Sequence, residues 1–296
     1  MLKSISREEK DFVVCFQKHM DSEKVSENDR ILLNKLEPFI SISERDVYSQ
    51  AICNYTLDTN QIKPNDKIIG TYYQAFWDRH KRIIKDVLED SEECPVCGLS
   101  YDIKNFGSGY IKTIEHVLPK SKYQQYILSP INLVYFCNFC NKKKSDKINE
   151  GRIFHPLFSQ INCCSQPIIK FSLVKGFQVK IEVKIVEPNL DYSHFINDVF
   201  KIDKKYKNFI MQILNIYITT IETVIEKRLI GLSLEEKYNT LSQLIDESFL
   251  QNVLTVQFIK TETEQMIEMN LKSAIKRNPK TFARYVIDKS NVLKNN

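Results

Sequence analysis

Residues 94–147 read CPVCGLSYDIKNFGSGYIKTIEHVLPKSKYQQYILSPINLVYFCNFCNKKKSDK. The stretch opens and closes on a Cys-x-x-Cys pair, Cys94/Cys97 and Cys137/Cys140, with 39 residues between them. Two such knuckles can each present two thiolates to one tetrahedral ion. Four sulfur ligands complete the coordination sphere, which marks a structural zinc site rather than a catalytic one. Pro95 and Gly98 suit the tight turn of the first knuckle. A zinc ion there staples together the two ends of the insert and contributes folding energy directly.

The insert has a readable order of elements. Gly107-Ser108-Gly109 predicts a turn, and Tyr110–Glu115 alternates like a strand ending at His116. A loop follows through Pro119 and Ser129-Pro130. Leu133–Phe136 predicts a second strand, and a helix from about 138 to 148 carries Cys140 and Asn141. Residues 102–152 hold nine Lys/Arg against four acids, an excess equal to the net charge of +5 for the whole chain. A basic face that coincides with a candidate site suits a phosphate-backbone binder.

Strand, loop, strand and helix, with EHVLPKSK, then NL, then CNFCNKKKSD, resemble the HNH endonucleases of the His-Me finger superfamily in their four-cysteine, ββα-metal form. The resemblance covers about residues 92–150, with FHPLF (154–158) as a trailing part. It implies that His116 is the general base and that Glu115 and Asn141 hold one divalent ion, Mg²⁺ or Mn²⁺. It further implies that Asn132 ties the loop to the strand and holds His116 in place, while Lys142, Lys143, Lys144 and Lys120 grip phosphates of DNA. The implied products carry a 5′-phosphate and a 3′-hydroxyl. Glu115 stands where Asp is commoner in the family, and Asn141 where His is common. Neighbouring strand residues face opposite ways, so Glu115 and His116 share a site only if the strand bends or ends there. The same cysteines and lysines also suit a zinc module that binds nucleic acid or a protein without cutting. That alternative leaves Glu115, His116 and Asn141 without a task.

Outward from this segment the chain reads as helical scaffold, giving an α+β protein: a mostly helical chain with a central zinc-stapled module and a small β-hairpin. The expected division is a helical region at 1–90, the nuclease module with its trailing hairpin at 91–190, and a helical domain at 191–296. Ser6 and Glu9 form a capping box before Phe12, Val13, Phe16 and Met20 on one helical face. Further helices are expected at about 28–37, from Ser43, and at 66–90, where Trp77 and its aromatic neighbours read as core. Segments 168–174 and 177–186 alternate around Lys175-Gly176 as a hairpin. Beyond them, helices are expected at about 204–229, after a Ser233/Glu236 capping box, at about 250–275, and from Asn278-Pro279. His155 is expected to cap a turn or contact phosphate, and His19, His80 and His194 to be ordinary residues.

Hydrophobic content of 43% with 27% charged residues is ordinary for a soluble globular protein, and 7 Gly and 9 Pro argue against long linkers. No unbroken apolar run has the length of a membrane span, and MLKSISREEK lacks a signal-peptide core. The expectation is a cytoplasmic protein with no membrane association. Cys15 and Cys53 read as buried thiols, and no disulfide framework is expected from these or from Cys163-Cys164. Helical flanks around such a module resemble anti-phage defence effectors, including the HNH subunit of Septu-type systems, which implies an ATPase partner subunit. They also resemble modification-dependent restriction nucleases.

Overall fold

A computed structural model describes residues 12–40, 67–85, 88, 91–101, 111–121, 123–147, 154–156, 166–174, 178–186, 195–254, 256, 259 and 261–295. The chain divides into two compact units, Met1–Cys163 and Cys164–Asn296. Both are helical with a two-stranded antiparallel sheet, which is the α+β class.

In the first unit, α1 (Phe12–Met20) buries Phe12, Phe16 and Met20, a four-residue spacing that lines one helical face. Val13, expected on that face, is 49% exposed because it lies about 100° round the helix from Phe12. Helix α2 (Glu27–Leu36) starts at Ser26, whose hydroxyl accepts from the Asp29 amide, and gives way to a single 3-10 turn at Pro38. Helix α3 (Lys67–His80) and the short α4 (Arg82–Lys85) add Phe76, Trp77, Ile83 and Ile84 to the same core. That core also contains Ile127, Leu128 and Leu133 from the central segment. The helical region expected at 1–90 is therefore not a separate body, since its apolar stripes are covered by the module itself. Three helices are further tied by polar contacts. Arg79 forks onto Asp29 with both bonds at 2.8 Å. His80 Nε2 stands 3.2 Å from Asp29, and His80 Nδ1 lies 2.9 Å from His19 Nε2. His19 and His80, expected to be unremarkable, thus form a chain from α1 to α2 through α3.

The central segment folds as expected. Strand β1 (Lys112–His116) pairs antiparallel with β2 (Leu133–Cys137), with Glu115 opposite Val134 and His116 opposite Leu133. Helix α5 (Asn138–Lys144) follows β2 without a loop. Cys137 caps it, its sulfur accepting from the Cys140 amide at 3.4 Å.

In the second unit, β3 (Gln166–Val174) and β4 (Gln178–Val186) form the expected hairpin. It belongs here rather than with the nuclease module, because its buried residues Ile169, Phe171 and Ile181 face helices of this unit, with Phe171 against Phe282. Helix α6 (Ile202–Leu229) is the central post. By length and composition it is apolar enough to cross a membrane. Its apolar stripe, from Ile202 through Tyr206, Phe209, Ile213 and Tyr217 to Leu229, is buried in the unit's own core. Helix α7 (Leu234–Leu244) begins with the expected Ser233/Glu236 capping box. The single helix expected at about 250–275 is two, α8 (Glu247–Asn252) and α9 (Glu262–Arg277), because Thr261 and Glu264 make a second capping box that starts a new helix. Helix α10 (Pro279–Lys289) has Pro279 in its first turn and Asn278 at the expected N-cap position, but the Asn278 side chain makes no hydrogen bond to that helix; it donates back to Ala274 O of α9 at 3.4 Å. A short α11 (Asn291–Asn295) follows. The Ser6/Glu9 box, the helix from Ser43, the turns at Gly107 and Lys175-Gly176, and Cys53, Cys163, Cys164 and His194 lie outside the described residues.

Candidate metal and nuclease site

The four cysteines converge. The sulfur atoms of Cys94, Cys97, Cys137 and Cys140 all lie within 4.8 Å of one another, and all four residues are fully buried. Four sulfurs at about 2.3 Å from a tetrahedral zinc stand roughly 3.8 Å apart, so this cluster is nearly the size the ion requires. Cys97 and Cys137 are already 4.0 Å apart. The first knuckle is turned by Gly98, at φ 66° in the left-handed region, whose amide donates to Cys94 O at 2.7 Å. In the second knuckle the Cys137 amide donates to Cys94 Sγ at 3.4 Å, a contact that bridges the two ends of the insert. Burial pushes the Cys94 and Cys140 thiols well up, with neighbouring sulfurs adding to the effect. Four buried sulfurs gathered this closely suit one occupant class, a thiophilic cation that displaces their protons.

About β1 the expected nuclease residues are brought close but sorted onto different neighbours. His116 is 6% exposed, at the very end of the strand. Its Nε2 lies 3.0 Å from the Ile127 carbonyl. A carbonyl only accepts, so Nε2 carries the proton and Nδ1 is the bare nitrogen. Nδ1 has no hydrogen-bond partner among the described residues. The ring packs edge-on against Trp77, with centroids 4.5 Å apart and planes at 68°. Burial pushes the imidazole down to about 3, with Lys120 and Lys144 adding to the effect, so it is neutral at pH 7.

Glu115 faces the other way, as strand alternation requires. Its carboxylate meets Lys144 Nζ at 2.7 Å, and the same ammonium donates to His116 O at 2.8 Å. Both side chains are under a tenth exposed. Burial raises the Glu115 carboxyl, against the opposing pull of Lys144. Asn141, one turn before Lys144 on α5, donates to Thr113 Oγ1 at 3.0 Å and to Ile114 O at 3.2 Å. A divalent ion held by Glu115 and Asn141 does not fit this arrangement, because an ammonium already neutralises the Glu115 carboxylate.

Asn132 was expected to tie the loop to the strand and hold His116 in place. Fully buried, it accepts from the Leu118 amide at 2.7 Å and donates to Leu118 O and Tyr126 O, both at 3.1 Å. It thus clamps the two ends of the loop whose Ile127 carbonyl orients His116. The basic residues divide. Lys142 is exposed, Lys143 is half-buried with its ammonium 5.7 Å from the Phe139 ring, and Lys120 is half-buried, reaching Gln74 and the Trp77 ring. Lys144, expected to grip phosphate from the surface, is buried on Glu115. His155 is fully buried with a ring nitrogen 2.7 Å from Ile131 O, which takes it off the surface. Sequence reading passed over Trp77 and Thr113 as site residues. Thr113 had a signal, since it sits two residues before Glu115 and so on the same strand face, beside α5.

No family model matches the chain, and no solved structure matches it. The chain is similar to the protein ea31 of Escherichia phage lambda, with 33% identity over 89 residues. That match covers 30% of this chain and 24% of the phage protein, so the similarity spans about a quarter of that relative's length.

Proposed function

We propose that the first unit is a zinc-stapled endonuclease of the HNH type, hydrolysing DNA phosphodiester bonds with His116 as general base. The carrying observation is the fixed tautomer. The Ile127 carbonyl accepts a hydrogen bond from Nε2–H, which leaves Nδ1 to accept a proton from an attacking water. The depressed basicity keeps this nitrogen free at neutral pH and limits how strongly it pulls. Asn132 supports the reading by holding the Ile127 loop in place, and Lys142 and Lys143 supply charge for the phosphate backbone. Zinc at the four cysteines belongs to the proposal as the fold's staple. So do Mg²⁺ or Mn²⁺ as cofactors, a role in anti-phage defence beside an ATPase subunit, and a cytoplasmic location. Modification-dependent restriction is the variant of the same chemistry.

A non-cutting zinc module has one specific observation in its favour, the closed Glu115–Lys144 pair. The test is cleavage of supercoiled plasmid with Mg²⁺ or Mn²⁺, by zinc-loaded protein and by His116→Ala. Nicking by the first and at least a hundredfold less by the second is expected, about the low end for loss of a general base. Equal cleavage by both, or DNA binding without any cleavage, removes the catalytic reading.

A further inference from the structure

We propose that the outward face of the β3–β4 hairpin, with the α9–α10 corner beside it, is a docking surface for the phosphate backbone of duplex DNA. The choice of duplex DNA as occupant rests on the reading of the first unit as an endonuclease. The surface itself lies wholly in the second unit, and so goes beyond that reading.

Charge carries the inference. Residues 166–186 hold four lysines against one acid, and residues 269–287 hold five basic residues and no acid. Strand alternation sorts the hairpin. Ile169, Phe171 and Ile181 turn inward, while Lys170, Lys180 and Lys184 are exposed on the opposite face. The one acid, Glu182, lies opposite Lys170 in the ladder and between Lys180 and Lys184 along β4. It meets Lys180 at 2.7 Å. That hydrogen bond holds its carboxyl below the ordinary carboxylate range, with Lys184 and Lys170 adding to the effect. One carboxylate does not neutralise three ammoniums, so the face keeps a positive excess.

The corner extends that excess. Lys276, Arg277 and Lys280 are exposed where α9 ends and α10 begins. The Arg277 guanidinium has no ion-pair or hydrogen-bond partner among the described residues. Corner and hairpin meet at an open cleft of about 460 Å³, with Lys170 and Ser172 on one wall and Arg277 and Asn278 on the other. Glu182, already engaged by Lys180, also lines it. Two cations across a cleft, with a hydroxyl and a carboxamide beside them, are the donor set that takes a backbone phosphate. The spacing of the lysines suits a polymer rather than a lone anion. Four residues along a strand span about 13 Å, so Lys180 and Lys184 stand about as far apart as the walls of the B-DNA major groove. A duplex laid on this face meets an ammonium at each rim of that groove.

Fluorescence anisotropy of a short end-labelled duplex tests this, using the zinc-loaded full chain without added Mg²⁺ or Mn²⁺ so that nothing is cut. Lys170→Gln with Arg277→Gln is expected to weaken binding by about tenfold or more. With two phosphate contacts gone, the slope of log affinity against log salt should flatten by roughly 2. Lys227→Gln with Arg228→Gln removes the same charge from exposed positions at the far end of α6. That end is remote from the corner, because α10 runs from the corner along α6, with Tyr285 on Met211 and Ser290 on Glu222. This control is expected to bind within about twofold of wild type with the slope unchanged. Equal losses in the two double variants, or no loss in the first, overturn the surface. If the first does not fold, Lys184→Gln replaces it, with a slope flatter by about 1, and an unchanged slope overturns the surface. A single-stranded RNA bound as tightly as the duplex overturns DNA as the occupant. Binding losses as described, with no plasmid cleavage by any protein, would leave the surface standing and remove the nuclease reading. Cleavage by wild type, with the first double variant binding as well as wild type, would do the reverse.

Discussion

Replacing Asn132 by alanine removes one side chain and strands three backbone groups. The carboxamide accepts from Leu118 N and donates to Leu118 O and Tyr126 O, all in a region where Asn132 and Leu118 are fully buried and Tyr126 is nearly so. A buried donor or acceptor left without a partner costs about 1–3 kcal/mol. The amide of Leu118 has no second choice, whereas the carbonyls retain part of their hydration if water enters. Summed with that allowance, Asn132→Ala should lose roughly 3–5 kcal/mol, a large share of the stability of a domain this size. Urea unfolding of the zinc-loaded protein measures it, with Lys142→Ala, an exposed position, as a control near zero. Asn132→Asp sharpens the test. It keeps the acceptor for Leu118 N but sets an oxygen against the two carbonyls that the amide had served. Its carboxyl is then held above the ordinary carboxylate range, so protonation restores one donor. The penalty relative to wild type should shrink as pH falls from 7 to 5. A loss below about 1 kcal/mol for Asn132→Ala, or a pH-independent penalty for Asn132→Asp, would show that the loop is held by something else.

Two further outcomes follow from the same geometry. A structural zinc contributes about 10–16 kcal/mol to folding in small domains, which exceeds the whole stability of most, so a strong chelator should unfold the first unit. Elemental analysis should find one zinc per chain, abolished in Cys97→Ser; chelation that leaves near-ultraviolet dichroism intact would refute a structural role. The second concerns pH. Burial lowers His116 from 6.5 to about 3, so between those values the unfolded chain binds a proton that the folded one refuses. Stability must therefore fall as pH drops below 6.5, by roughly 1 kcal/mol per unit from this group alone. Burial lowers His80 and His19 too, in the same direction, while the raised Glu115 carboxyl partly offsets the loss. Urea midpoints should decline from pH 7 to 5, and less steeply for His116→Gln. The sole tryptophan, Trp77, packs on the His116 ring and provides the direct readout. Its fluorescence should show no quenching step near 6.5 while the protein stays folded, and such a step would place the imidazole in water.

How far the sequence reaches depends on whether a feature is made locally. The cysteine knuckles, β1, β2 and α5 were legible because spacing and alternation act over a few residues, and the metal-ligand and backbone geometries admit few arrangements. That Asn132 would tie the loop to the strand was an expectation from the family resemblance, and its hydrogen bonds to Leu118 and Tyr126 lie within that loop. The fate of Lys144 was not legible. In sequence it is the third of three lysines, and nothing local separates it from Lys142. What separates it is helical phase. On α5 a step of three residues from Asn141 turns Lys144 onto β1, while Lys142 points to solvent. The same reasoning explains the domain division. Boundaries at 90 and 190 followed the change from helical to alternating patterns, yet a pattern shows which face of an element is apolar and not what covers it. Phe76 and Trp77 are covered by the module, and Phe171 by Phe282, so the compact units divide at 163 instead. The polar chain from His19 through His80 to Asp29 and Arg79 was hidden for a third reason, since each member is unexceptional alone and they come together only through tertiary packing. Expected ligand type and actual ligand state therefore come apart at Glu115. Sequence identifies a carboxylate beside a histidine, but only the packing of α5 decides that an ammonium meets it first.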